Sequence, residues 1–466
     1  MQRNATGSFL PTASPRRRLQ SERGSALIIV LWICLGLVSI ALYFAQSMTH
    51  EIRAADNRVS GLQAEQAIAG AARYASNVLA NLQTPGLIPD EKSYERENVA
   101  VGDASFWFIG RSDQQTALDE PWFGFVDEAS KLNLNTATQA MLEALPRMTP
   151  QLAAAIVDWR DANSTVSNNG AEDETYQRLN PPYRCKNAPF ESVDELRLVY
   201  GMDMEILYGE DANLNGALDP NENDGDTSAP DDDRNGVLDP GLLEYVTVWS
   251  RESTTGRTNV NQRAGLAIVL QDVFGTSRAN QILAQLSGGG EQGGPGGGGG
   301  GGQTQYGNDV EFYLASRMTR NEFDQVAEQL VATTNTTGSV AGLVNINTAS
   351  EAVLQCIPGI GTQYSSTVVA YRLGNTDLKS IAWLVEVIGS DAAKLAAPYI
   401  TTRTYQFTAD IAAVGHYGRG YQRAKFVFDT SDGEPRIAYR QDLTHLGWAL
   451  GKTARENLTQ VASNTR

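Results

Sequence analysis

The stretch DANLNGALDPNE, residues 211–222, puts oxygen-bearing side chains at positions one, three, five, nine and twelve of a twelve-residue window, with glycine at the sixth. This matches the calcium-loop pattern at every specified position. Calcium takes roughly six to eight oxygens on a tightly curled loop, so the glycine serves the turn and a glutamate at the end closes the shell. Asp211, Asn213, Asn215, Asp219 and Glu222 are the expected side-chain ligands, and Ala217 is expected to offer its backbone carbonyl. A near-repeat, DDDRNGVLDPGL, supplies Asp231, Asp233, Asn235 and Asp239 but has Leu242 where the glutamate belongs, with Glu244 and Asp224 as the nearby carboxylates that could complete it. From Glu210 to Glu244 there are eleven acids and one base, a density that repels itself without counterions. The expected cofactor is therefore calcium in a structural role, neutralising and ordering the segment.

No catalytic constellation stands beside it. The histidines are His50, His416 and His445, scattered and without cysteine or aspartate partners at metal-ligand spacing. GWALGKT, near the end, has three residues between its glycines where a phosphate loop needs four. No G-x-S-x-G occurs. The expectation is a chain that catalyses nothing and has no small-molecule substrate. Cys185 and Cys356 are the two cysteines outside the apolar N-terminal run, and a disulfide between them is one option the sequence leaves open.

The elements that carry the loop begin with an apolar run. From Ser25 to Ala45 there are 21 residues without a charged side chain, enough to cross a bilayer as a helix. Arg16, Arg17, Arg18 and Arg23 precede it, which predicts a cytoplasmic N-terminus and a body on the far side of the membrane. Beyond Ala45 the chain stays rich in Ala, Gln, Glu and Leu with no proline before Pro85, so one helix is expected to continue to about Leu82. ASFWFIG and WFGFVDEASKLNLN predict the strands of a hairpin.

Two segments then align without a gap at an offset of 212 residues: LNLNTATQAMLEALPRMTPQLAAAIVDWR from Leu132 and VNINTASEAVLQCIPGIGTQYSSTVVAYR from Val344. A weaker third copy starts at TNVNQRAGLAIVLQDVFG, with Asn259 and Asn261 in the paired-asparagine slots. Each copy has a short extended piece, a Ser or Thr able to cap a helix, and two helices around a turn. That is a helix-hairpin-helix arrangement, which in DNA-binding versions offers glycine amides to a phosphate. IPGIGT has those glycines, but LPRMT has none, and little Lys or Arg flanks either turn. With a formal charge of −17 on the whole chain, the hairpins are expected to be packing modules and no nucleic acid is expected as a partner.

The join Arg23-Gly24-Ser25 resembles a prepilin leader, which a dedicated peptidase cuts after the glycine. The resemblance implies cleavage between Gly24 and Ser25 and a leader of residues 1–24, whose removal takes +4 and leaves −21. Most pilins and pseudopilins carry glutamate at the fifth mature position; here that residue is Ile29. One pseudopilin family habitually lacks it, protein K of the type II secretion system. The same family shows Asp-Trp followed by Asp, a Gly-Ala-Glu-Asp loop, Pro-Pro-Tyr, and F-x-S-V-x-E-L-R-L-V-x-G. Here these are Asp158-Trp159 and Asp161, Gly170 to Asp173, Pro181 to Tyr183, and Phe190 to Gly201.

The resemblance implies an α+β fold: a long N-terminal pilin-like transmembrane helix, a small antiparallel sheet, and inserted all-α units of helix-hairpin-helix type. The expected divisions are the leader 1–24, transmembrane and stalk helix 25–82, pilin-like strands 83–130, a helical domain with the acidic loop 131–287, a Gly-rich linker 288–305, a second helical unit 306–400, strands 401–442 and a tail 443–466. It implies a minor pseudopilin, held in the inner membrane and then placed at the tip of a periplasmic pseudopilus. The implied partners are other minor pseudopilins, the major pseudopilin, the prepilin peptidase and the inner-membrane platform. A membrane-tethered DNA-uptake protein and a type IV pilus adhesin are the competing readings.

Overall fold

The computed structural model describes residues 23–82, 84–111, 120–287, 304–334, 338–376 and 378–464. The leader through residue 22 and most of the Gly-rich linker (residues 288–303) lie outside the described residues. The chain divides into two units, residues 1–58 and 59–466.

The first unit is helical from residue 23 onward, as the first part of helix α1, Arg23–Ala80. Gly24 and Ser25, the expected cleavage pair, fall in its first turn. Large apolar side chains from Leu27 to Phe44 are exposed, Ile29 among them. The helix reaches a mean hydropathy of 2.7 and is long and apolar enough to cross a membrane.

In the second unit the rest of α1 lays an alanine-rich face on an antiparallel sheet. Ala64, Ala67, Ile68, Ala71, Ala72, Ala75 and Leu79 are buried at helical spacing. Their small side chains leave room for phenylalanines from the sheet. The strands are β1 Val99–Val101, β2 Ala104–Ile109, β3 Val126–Asp127, β4 Gln406–Gly415, β5 Arg419–Asp429 and β6 Arg436–Asp442. They run in the order β1-β2-β4-β5-β6, with β3 also paired to β4. Strand alternation sends Phe106, Phe108, Phe407, Ala409, Ile411 and Phe428 to the α1 face. Trp107, Ile109, Ala412 and Val414 face the other way. Burying each aromatic or branched side chain contributes about 1.5–3 kcal/mol, so this two-faced pattern holds the sheet in register.

The expected hairpin forms differently. β2 pairs with β1, which the pattern did not flag, while β3 pairs with β4 at Phe407↔Asp127 and Thr408↔Val126. Between the two aromatic segments only the bridge Ile109↔Phe123 remains. The reason is β4, whose ten residues are all buried and which takes a place beside both β2 and β3.

Everything between β3 and β4 is an insert with its own core. Three frames open and close it with two-residue parallel pairs: Leu132–Asn133 with Val246–Thr247, Thr258–Asn259 with Leu330–Val331, and Val344–Asn345 with Ile400–Thr401. In the first frame helix Gln139–Glu143 turns into Pro150–Arg160; in the third Glu351–Gln355 turns into Gly361–Gly374. In the middle frame the helical run Arg263–Ser287 breaks at Gly275, whose φ is 74°.

One further expectation changes. Residues 443–464, expected as a tail, form a partly buried segment followed by helix Gly451–Asn464, because Leu443 is buried and Ala449 and Leu450 cover the sheet face opposite α1. Cys185 and Cys356 are both free and buried. Their thiols lie near different carbonyls, those of Asp158 and Ala352, and burial pushes each up to about 12.

Candidate functional site: an acidic loop held by the sheet

The loop at residues 211–222 curls as its spacing predicts. Asp211 accepts the amides of Asn215 and Gly216 at 2.9 Å each, and Asn215 Oδ1 accepts the amide of Ala217 at 2.7 Å. Asn213 Oδ1 accepts the amide of Asn215 at 3.0 Å. Glu222 reaches back over the loop, accepting the amides of Ala212 at 3.0 Å and Asp219 at 2.9 Å. Asp219 Oδ2 receives the side-chain amides of Asn213 at 2.6 Å and Asn215 at 3.1 Å. Gly216 has φ 72°, and a Cβ there would lie 2.9 Å from the Arg111 side chain, so any other residue at the sixth position is strained and crowds Arg111.

The electrostatics are unusual for an acidic surface loop. Asp211, Asn215 and Glu222 are essentially buried, at 1%, 0% and 1% exposure. Burial and then the charge of Asp211 push Glu222 up to about 8. Burial raises Asp211 as well, although the Arg111 guanidinium opposes the shift. Two buried carboxyls facing each other across a loop of oxygens are the environment a hard dication would stabilise. Among the described residues no three His, Cys, Asp or Glu side chains converge as a metal cluster. The donor set here is instead the mixed one the pattern specifies, with carboxylates from Asp211, Asp219 and Glu222, amide oxygens from Asn213 and Asn215, and the carbonyl of Ala217. These residues fit calcium.

The near-repeat is built otherwise. Asp231, Asp233 and Asn235 are exposed, with Asp233 and Asn235 bonded to one another at 2.9 Å. Asp239 is paired with Arg147 at 2.7 Å. Glu244 is held by Arg111 at 2.8 Å, and Asp224 binds the hydroxyl of Ser228 at 2.7 Å. The structure does not bring these carboxylates together with Asp231.

The supports of the first loop were not visible in its own pattern. Arg423 on β5 is fully buried and grips Asp410 on β4 through two bonds, at 2.9 and 2.6 Å. Its guanidinium also donates to the carbonyls of Asn213 and Leu214, the latter at 2.8 Å. Arg111, just past β2, donates to the same Leu214 carbonyl at 3.2 Å. Asn213 Nδ2 donates to the Trp448 carbonyl at 3.0 Å. An arginine in the middle of a strand was the available signal, since a charge buried there needs a partner.

The first frame holds a second set of buried acids, in the segments VDWRD and GAED. Asp158 is fully buried and accepts the amide of Ser167 at 3.1 Å. Glu172 is 2% exposed, and neither of its oxygens has a hydrogen-bond partner. Burial, then Asp158 and Asp161, raises its carboxyl. Gly170 presses so closely on Asp158 that a Cβ would sit 2.0 Å from its carboxylate.

The paired asparagines do structural work. The amides of Asn135, Asn261 and Asn347 donate to Oδ1 of Asn133, Asn259 and Asn345 at 2.9, 2.9 and 3.0 Å. Their own Nδ2 groups donate to the carbonyls of Phe190, Tyr306 and Leu378 at 3.0, 2.9 and 2.9 Å, closing each frame. In the third frame the hairpin glycine Gly359 abuts helix Ser390–Ala396, its would-be Cβ 2.2 Å from the Ala392 carbonyl. Close approach at this turn serves helix packing.

Comparison with known proteins adds the following. Residues 126–208 match the family described as type II secretion system (T2SS), protein K. Residues 339–401 match the helix-hairpin-helix motif. Curated proteins named type II secretion system protein K are similar: 27% identical over 205 residues in Pectobacterium carotovorum subsp. carotovorum and 29% over 206 in Klebsiella pneumoniae. A third, from Aeromonas hydrophila, is 29% identical over 200 residues. Each alignment covers 40% of this chain, and the chain spans 60% of the length of these relatives. Among solved structures, a chain of the GspK-GspI-GspJ complex from the enterotoxigenic Escherichia coli type 2 secretion system is similar at TM-score 0.35 and 10% identity, covering 85% of this chain and 98% of that one.

Proposed function

We propose that this chain is a minor pseudopilin of the type II secretion system, which sits at the tip of the periplasmic pseudopilus and starts or caps its assembly for export across the outer membrane. The observation that carries the reading is the position of the protein K match, residues 126–208, which begins on strand β3 of a sheet covered by a pilin-like helix and continues into the insert. The chain is a structural component and not an enzyme. Its helix anchors it in the inner membrane, with the N-terminus cytoplasmic and the body periplasmic.

Prepilin peptidase cuts between Gly24 and Ser25. The partners are other minor pseudopilins, the major pseudopilin and the inner-membrane platform. In a pilin bundle the fifth-position glutamate pairs with the N-terminal amine of a neighbour, and an unpaired charge inside an apolar bundle costs several kcal/mol. With Ile29 there, this subunit is poorly suited to lie beneath another and suits the end of a fibre. Calcium bound by residues 211–222 orders the acidic segment of the body.

Mass spectrometry of the mature N-terminus tests the reading: a chain starting at Ser25 is expected, and an intact Met1 terminus on protein from the cell envelope overturns it. The helix-hairpin-helix match favours a second reading, DNA binding. A duplex-DNA assay at low salt separates the two, with no binding expected from so acidic a body.

A further inference from the structure

The acidic loop touches a part of the chain far from it in sequence. We infer that calcium occupancy of residues 211–222 latches the C-terminal segment, residues 443–464, onto the sheet, with the side chain of Asn213 as the catch. The inference rests on the calcium reading proposed above and goes beyond it by naming what the ion controls.

Asn213 is the third residue of the loop, and the two ends of its amide do different work. Oδ1, the atom the pattern assigns to calcium, is turned to the loop and accepts the amide of Asn215 at 3.0 Å. Nδ2 is shared, donating to Asp219 Oδ2 within the loop at 2.6 Å and across to the carbonyl of Trp448 at 3.0 Å. A cation held on Oδ1 therefore fixes the plane of the amide and aims its N–H at Trp448. The next two residues, Ala449 and Leu450, are fully buried against Trp107, Ile109, Ala412 and Val414. The Trp448 ring packs on Tyr421 with centroids 5.1 Å apart, under the Arg455 guanidinium at 5.1 Å. The catch thus sits beside the residues that plug the sheet.

Arg423 joins the same parts a second time. Its side chain holds the carbonyls of Asn213 and Leu214. Its backbone holds the start of the segment: its amide donates to Thr444 Oγ1 at 3.0 Å, and its carbonyl accepts the Leu443 amide at 2.9 Å. Without a cation only the Asn215 amide holds Asn213 Oδ1, so the loop loosens and Asn213 withdraws from Trp448. The segment is then held by its apolar contacts, by the Arg423 backbone and by the helix cap, where Thr453 donates to Glu120 at 3.0 Å from its amide and 2.8 Å from its hydroxyl. Parts of a fold with few such ties open first.

The test uses the full chain in detergent, with calcium binding measured by calorimetry and opening by amide hydrogen exchange. In saturating calcium, residues 443–464 are expected to exchange at least tenfold more slowly than in chelator, while β2 and β4 are unchanged. Asn213→Asp separates the parts, since aspartate is an allowed ligand at that position but has no N–H for Trp448. It is expected to bind calcium and to leave residues 443–464 in fast exchange. Calcium binding to the unmodified chain without slower exchange at 443–464 overturns the latch and leaves the calcium site standing. Absence of calcium binding overturns both.

Discussion

Glu222 is where the acidic loop makes its charge felt. In the ion-free protein its carboxyl titrates at about 8 against 4.5 unfolded, so the folded form holds the proton more tightly. Stability from this group is full below pH 4.5 and is lost as pH rises toward 8. Calcium works against that proton, so its affinity should climb over the same interval. Chelator-treated protein is expected to lose thermal stability from pH 5 to pH 8, and Glu222→Gln to flatten that loss while weakening calcium binding at least tenfold. Thermal melts with and without chelator at the two pH values check both. The ligand residues were legible because the loop is local: twelve consecutive residues contain the whole pattern. Arg423, Arg111 and Trp448 were not, because each meets the loop only after distant segments have folded together. An arginine in a strand announces that it needs a partner and does not name one.

At the scale of elements, the paired asparagines explain why a motif usually associated with nucleic acid can serve as a brace. Each second asparagine ties its frame's opening strand to a loop tens of residues away, so Asn347→Ala should leave the Leu378 carbonyl and the Trp383 indole short of a partner. The expected cost is about 1–3 kcal/mol, read as a lower denaturation midpoint. Gly359→Ala strikes the Ala392 carbonyl and imposes a side chain at φ 85°, and is expected to destabilise by roughly 1–3 kcal/mol or more. The repeats were readable from spacing, including the faint copy at Asn259 and Asn261, because each carries the same Asn-x-Asn bracket. β1, the three residues Val99–Val101, was too short to signal itself. The C-terminal helix was missed because its face is mostly polar, and what docks it is the Ala449-Leu450 pair just before it.

For the whole molecule, the exposed apolar helix and the missing acid at Ile29 lead to a test of placement. Ile29→Glu gives the subunit the charge that other pilins carry, and it is expected to appear within fibres instead of at their ends. Immunogold labelling along isolated pseudopili measures this, and unchanged terminal labelling removes the charge argument. The antiparallel sheet also has a peculiar ancestry in the chain: β2 and β4 lie side by side, yet the entire body is threaded between them. Closing so long a loop directly is entropically slow. The insert leaves and re-enters at adjoining positions, Asp127 opposite Phe407. Once folded, the insert hands the two distant strands to each other as neighbours. The same adjacency makes it a cassette: trimmed out and bridged by a few residues, it should leave behind a small helix-covered sheet able to close without it.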